Sequence, residues 1–155
     1  MLRKEAENLI DKNVYCWTAL WGSYAGEVVE IYGSPWRARV KILEVVSYPV
    51  QGIGAYVREF FARKPFEYGT IKDFGGANIK PLDENETIKD YSTSSLIALR
   101  NEIDLLNGVI EFSKRCNKPY GIETKALEIL KERLLQTSRN VIIDQYAGQA
   151  DAISY

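Results

Sequence analysis

The chain has 155 residues, 46% of them hydrophobic and 26% charged, a composition suited to a globular core and too apolar for a disordered tail. Its net charge of -1 argues against wholesale wrapping of nucleic acid, which takes a clearly basic domain. With no histidine, Ser-His-Asp and Cys-His catalysis and His-ligated zinc are excluded, and Cys16 and Cys116, outside any C-x-x-C spacing, support neither a disulfide framework nor a zinc site.

In chain order, MLRKEAENLIDK (1–12) has no uninterrupted apolar run and predicts a short amphipathic N-terminal helix rather than a signal peptide. No 18-residue apolar stretch follows, so a membrane span is not expected and a cytoplasmic protein is. VYCWTALW (14–21), rich in aromatic and β-branched residues, reads as a first strand ended by the turn residues GSYAG (22–26). EVVEIY (27–32) is a second strand, closed by Gly33-Ser34-Pro35. Trp36 opens a third, in which Trp36, Ala38, Val40 and Ile42 alternate with Arg37, Arg39 and Lys41. Period two of this kind belongs to a strand with one buried and one solvated face.

PVQGIGAYVREFFARKPF (49–66) breaks that rhythm: Tyr56, Val57, Phe60 and Phe61 sit at helical spacing, which predicts a short helical insert between Gly54 and Pro65. EYGTIKDF (67–74), Gly75-Gly76 and ANIKPL (77–82) then read as a closing β-hairpin. Four to five short strands with glycine-rich turns predict a small, strongly bent barrel. Gly26-Glu27-Val28, the Gly33 turn and Ile79-Lys80-Pro81 resemble the pattern of SH3-like small barrels over residues 14–82.

DENETIKDYSTSS (83–95) is an acidic linker ending in residues suited to cap a helix. Leu96, Leu99, Ile103, Leu106 and Ile110 follow at spacings of three and four, with Val109, Phe112 and Cys116 widening the stripe. Asn117-Lys118-Pro119-Tyr120-Gly121 ends that helix, and a second carries Leu127, Leu130, Leu134 and Val141 to about Ala147. The expected organisation is therefore α+β: an N-terminal helix (1–12), an SH3-like β-barrel with a helical insert (13–82), a linker (83–92), an antiparallel α-hairpin (93–147) and a tail (148–155). The apolar stripe of the hairpin is broader than two helices need, which predicts a homo-oligomer through the C-terminal helices.

Motifs that carry chemistry fail on context. Asp73-Phe74-Gly75 copies the kinase magnesium triplet without a catalytic or phosphate loop, and DFGG reads as a turn. Asp83, Asn85 and Thr87 mimic an EF-hand start, but Ile88 stands where glycine is needed and Ser94 where a bidentate Glu is needed. Dispersed carboxylates name no acid/base pair, so no catalytic residue and no cofactor is assigned and the chain reads as non-enzymatic. The leading expectation is a module that docks a protein or peptide partner on exposed rings, with Trp21, Tyr24 and Trp36 lining the groove. The alternative is a nucleic-acid-binding barrel, Arg37, Arg39 and Lys41 tracking phosphates beside the aromatics.

Overall fold

The computed structural model describes residues 1–53 and 60–153, with side chains described outside 52–61, 138 and 140–153. The elements run α1 (Arg3–Ala6), a 3₁₀ turn (Glu7–Leu9), β1 (Asn13–Trp17), β2 (Ser23–Tyr32), β3 (Arg37–Ser47), β4 (Gly52–Ile53), β5 (Phe60–Phe61), β6 (Ile71–Gly75), a second 3₁₀ turn (Gly76–Asn78), β7 (Ile79–Pro81), α2 (Tyr91–Arg115) and α3 (Gly121–Ile153). They form two compact units, one of residues 1–51 and 63–102 and one of residues 52–62 and 103–155, so that α2 continues from the first into the second.

The first unit is built on an antiparallel five-stranded sheet in the order β6-β3-β2-β1-β7. The alternation expected in the third strand is present: Ala38, Val40 and Ile42 are fully buried, and Arg37, Arg39 and Lys41 are exposed. Val14 and Cys16 of β1, Val28 and Ile31 of β2, Phe74 of β6 and Leu9 complete this core with Ala98 and Leu99 of α2. Burying a side chain the size of Ile42 in such a core contributes about 2 kcal/mol.

Two turns differ from expectation. The first hairpin turns at residues 18–22, so that of GSYAG only Gly22 belongs to the turn and residues 23–26 lie inside β2. The reason is the Thr18 side chain: its hydroxyl accepts from the Trp21 N–H at 2.7 Å and donates to the Gly22 carbonyl at 3.0 Å. Gly22 sits at φ 88°, the left-handed region that suits glycine. Gly26, read as the end of the turn, instead lies inside β2 at a register shift against β3; a Cβ there would stand 2.1 Å from the Lys41 carbonyl oxygen.

The second difference is at the close of the sheet. β6 and β7 are not a hairpin: β6 pairs with β3 and β7 pairs with β1, at opposite edges. The 3₁₀ turn that joins them spans at most about 14 Å from Gly75 to Ile79, whereas four inter-strand gaps of a flat sheet cover about 19 Å. The sheet is therefore curled until its edges approach. Register shifts between Ser23 and Tyr24, Ala25 and Gly26, and Val28 and Glu30 supply the bends. They also place Tyr24 and Ala25, neighbours in sequence, both at zero exposure.

In the second unit β4 pairs with β5, Gly52 opposite Phe61 and Ile53 opposite Phe60. The helical insert is thus corrected where it is described, because Phe60 and Phe61 are strand residues; Tyr56 and Val57 lie outside the described residues. Ile103, Leu106 and Ile110 are buried as their spacing predicts, with Ala126 and Leu130 of α3. Val109, Phe112 and Cys116, expected to widen that buried stripe, are exposed. The helix stops at Asn117, which takes φ 54° while the Lys118 N–H bonds to the Ser113 carbonyl at 2.8 Å, closing the last turn ahead of Pro119. α3 runs on through the expected tail to Ile153; the side chain of Val141 lies outside the described residues. Among the described residues no helix is long and apolar enough to cross a membrane.

Candidate functional site

An aromatic band on the first unit is the most developed surface feature. Its foundation is Tyr24 of β2, fully buried and stacked on Phe66 with ring centroids 4.8 Å apart. The Tyr24 hydroxyl donates to the Trp21 carbonyl and accepts from the Phe66 N–H at 3.1 Å. Tyr91, the first residue of α2, donates its hydroxyl to the Phe66 carbonyl at 2.5 Å. Both polar groups of the Phe66 residue are thus held by tyrosine hydroxyls, which fixes a loop that no regular element supports. Burial pushes the Tyr24 phenol up to about 12 and raises that of Tyr91, so both remain donors at neutral pH.

On this foundation two rings face outward. Trp21, 44% exposed, stacks on Phe66 at 6.0 Å, and Tyr68, 62% exposed, meets Tyr91 edge-on at 5.8 Å. A cleft of about 390 Å³ opens beside Tyr68 and Tyr91, lined also by Leu43, Ile88, Lys89 and Asp90. Cations border the band: Arg63 lies 5.9 Å from the Trp21 ring and Lys72 4.9 Å from that of Phe66.

Of the three rings expected to line one groove, Trp21 alone belongs to this surface. Tyr24 has no exposed area to offer a partner and serves as a support. Trp36 is on the turn at the other end of β2, roughly 30 Å of strand path from Trp21. Its indole covers the β6–β7 turn, where a Cβ on Gly76 would lie 2.4 Å from the ring, and its Nε1 donates to the Met1 carbonyl at 2.9 Å. Phe66, Tyr68 and Tyr91 escaped the sequence reading because only tertiary structure brings them to Trp21. A faint signal existed: two rings between Pro65 and Gly69, where turn chemistry keeps a chain at the surface.

The basic row is balanced by its neighbours. Arg37 binds Asp73 at 2.9 Å, and Asp73 also accepts from the Tyr32 hydroxyl at 2.6 Å. Partial burial opposes ionisation of Asp73, but these hydrogen bonds prevail and hold its carboxyl below the usual range. Arg39 binds Glu30 at 2.8 Å and lies 4.9 Å from the Tyr32 ring, while Lys41 stands opposite Glu27 in the ladder. Three cations thus share their face with three carboxylates, and the strand presents no basic stripe.

The acidic linker is tied down rather than free. Tyr15 donates to Glu86, whose other oxygen accepts from the Asp83 N–H at 3.2 Å. The bond from Tyr15 holds Glu86 below its ordinary range, and the carboxylate in turn pushes Tyr15 up to about 12. The buried Glu44 accepts from the Lys89 N–H at 2.6 Å. Asp90 then caps α2, accepting from the N–H and hydroxyl of Thr93, both at 3.0 Å. Cys16 is buried and its thiol pushed up to about 12 by that burial, which leaves it inert as a nucleophile.

The chain is a mixed α+β protein in which a five-stranded antiparallel sheet is followed by two long helices. No protein-family model matches its sequence, and no curated protein matches it either. A solved structure, the X-ray crystal structure of kinase-associated protein B from Bacillus cereus, has a similar fold, with a TM-score of 0.59 and 20% identity over 84% of this chain and 96% of that one.

Proposed function

We propose that this chain is a non-enzymatic docking module that holds a protein or peptide partner on the aromatic band of Trp21, Phe66, Tyr68 and Tyr91. The observation that carries the reading is the fixing of Phe66 by two tyrosine hydroxyls. Two large rings are presented on a rigid support, so a partner buries area against them at small entropic cost. The name of the structural neighbour, a kinase-associated protein, supports a protein as the class of partner. An SH3-like barrel is the finer reading of the fold, supported by the curled sheet whose first strand pairs with its last. Charge balance around Arg37 and Arg39 weighs against the nucleic-acid alternative.

The test is chemical-shift mapping of the full chain against a panel of extended peptides and short single-stranded nucleic acids. Shifts are expected for residues 18–22 and 66–70 with a peptide, and a Trp21→Ala, Tyr68→Ala variant should bind at least about 30-fold more weakly, as for loss of an anchoring ring. Salt-sensitive nucleic-acid shifts centred on residues 37–41 would replace this reading with the alternative.

A further inference from the structure

The second unit carries an apolar stripe that the fold leaves exposed, with the Lys118 ammonium 5.9 Å from the Phe112 ring. Leu105, Val109, Phe112 and Cys116 recur at spacings of four, three and four along one line of α2 and its last turn, and all are exposed, Leu105 by 60% and Phe112 by 55%. Gly108 lies beside this line. Glycine is unfavourable inside a helix, and a Cβ there would meet nothing within 4 Å, so packing within the chain does not demand it.

Between residues 104 and 118 the charges are polarised. Asp104 and Glu111 precede Phe112 there, whereas Lys114, Arg115 and Lys118 follow it. Glu111 is bound to Lys114 at 3.7 Å, and the Arg115 Nε reaches only the Glu111 carbonyl of its own helix, at 3.5 Å. Asp104 forms no ion pair among the described residues. The cations suit the end of a helix dipole, but Asp104 stands in mid-helix, far from the first turn, so the dipole does not explain it.

We infer that this stripe is a self-association surface on which α2 of a second copy lies antiparallel, crossing near Gly108 and Val109. In that arrangement Leu105 of each copy meets Phe112 of the other, and Gly108 lets the backbones approach. Asp104 and Arg115, about 16 Å apart along one helix, each meet their opposite in the partner, which makes two reciprocal ion pairs. A parallel pair would set like charges together at both ends. Four apolar side chains per copy make a small interface, so the dimer is weak and reversible.

Sedimentation equilibrium of the full chain up to about 1 mM tests this, since a weak dimer is populated there. Wild type is expected to be a reversible dimer and Phe112→Asp a monomer throughout, with unchanged circular dichroism. Arg115→Glu should weaken association about tenfold at low salt, and adding Asp104→Lys should restore it. Should Phe112→Asp fail to fold, the charge pair decides, because both of its side chains are exposed. Monomeric wild type, association indifferent to Phe112→Asp, or charge reversal without rescue would each overturn the proposal.

Discussion

Replacing Tyr24 with phenylalanine removes one oxygen and leaves the ring stacked on Phe66. That oxygen serves two backbone groups, as donor to the Trp21 carbonyl and acceptor for the Phe66 N–H. Each lost bond is worth about 1 kcal/mol where water reaches the stranded group in part, so Tyr24→Phe should destabilise by about 2 kcal/mol. For a chain of this size that is a fall in Tm of roughly 4–8 °C. Urea unfolding should show it as a lower midpoint with an unchanged slope, because the core area is preserved. Tyr91→Phe, which frees only the Phe66 carbonyl, should cost about 1 kcal/mol. Because both hydroxyls hold the same residue, the double variant should depart from additivity by about 0.5 kcal/mol or more. A loss below about 0.5 kcal/mol for Tyr24→Phe would refute the claim that its hydroxyl anchors the loop.

Gly26→Ala should destabilise far more than an exposed substitution, by about 3 kcal/mol, because the new methyl meets the Lys41 carbonyl oxygen at 2.1 Å and the Val40 Cγ1 at 2.8 Å; thermal unfolding would register it, and an unchanged Tm would contradict this close approach of β3 to Gly26. Alkaline stability follows from the two phenols held at about 12, Tyr24 through burial and Tyr15 through its bond to Glu86. The unfolded chain releases these protons near pH 10, the folded chain only near 12, so stability should be level below about pH 9 and fall between 10 and 12; a Tyr15→Phe, Tyr24→Phe variant titrated by circular dichroism should fall less over that window.

Elements whose burial repeats with a local period were legible in the sequence. β3 and α2 announce themselves because one face of each meets a core, and Ala38, Val40, Ile42, Leu99, Ile103 and Leu106 repeat accordingly. The first turn was not, since a threonine side chain rather than a glycine pair organises it. The closing strands were misread as a hairpin because adjacency in sequence suggests pairing, while each of these strands pairs with residues 30 or more positions earlier in the chain. Tyr24 looked like a surface ring because nothing local reveals the register shifts around it. Of the four rings of the candidate site Trp21 alone was named from the sequence, because its stack with Phe66 depends on a loop arriving from the far side of β3.

The three-residue turn at Gly76–Asn78 also sets an order on folding. β1 is made early in the chain, yet the strand that covers its outer edge ends at Pro81. Until that point has been synthesised, Val14 and Cys16 lie on an open edge whose amides and carbonyls can recruit another nascent chain. Closure is a late, long-range step, slow for the reason that distant contacts always are. Any fragment ending before residue 79 would be expected to aggregate rather than fold.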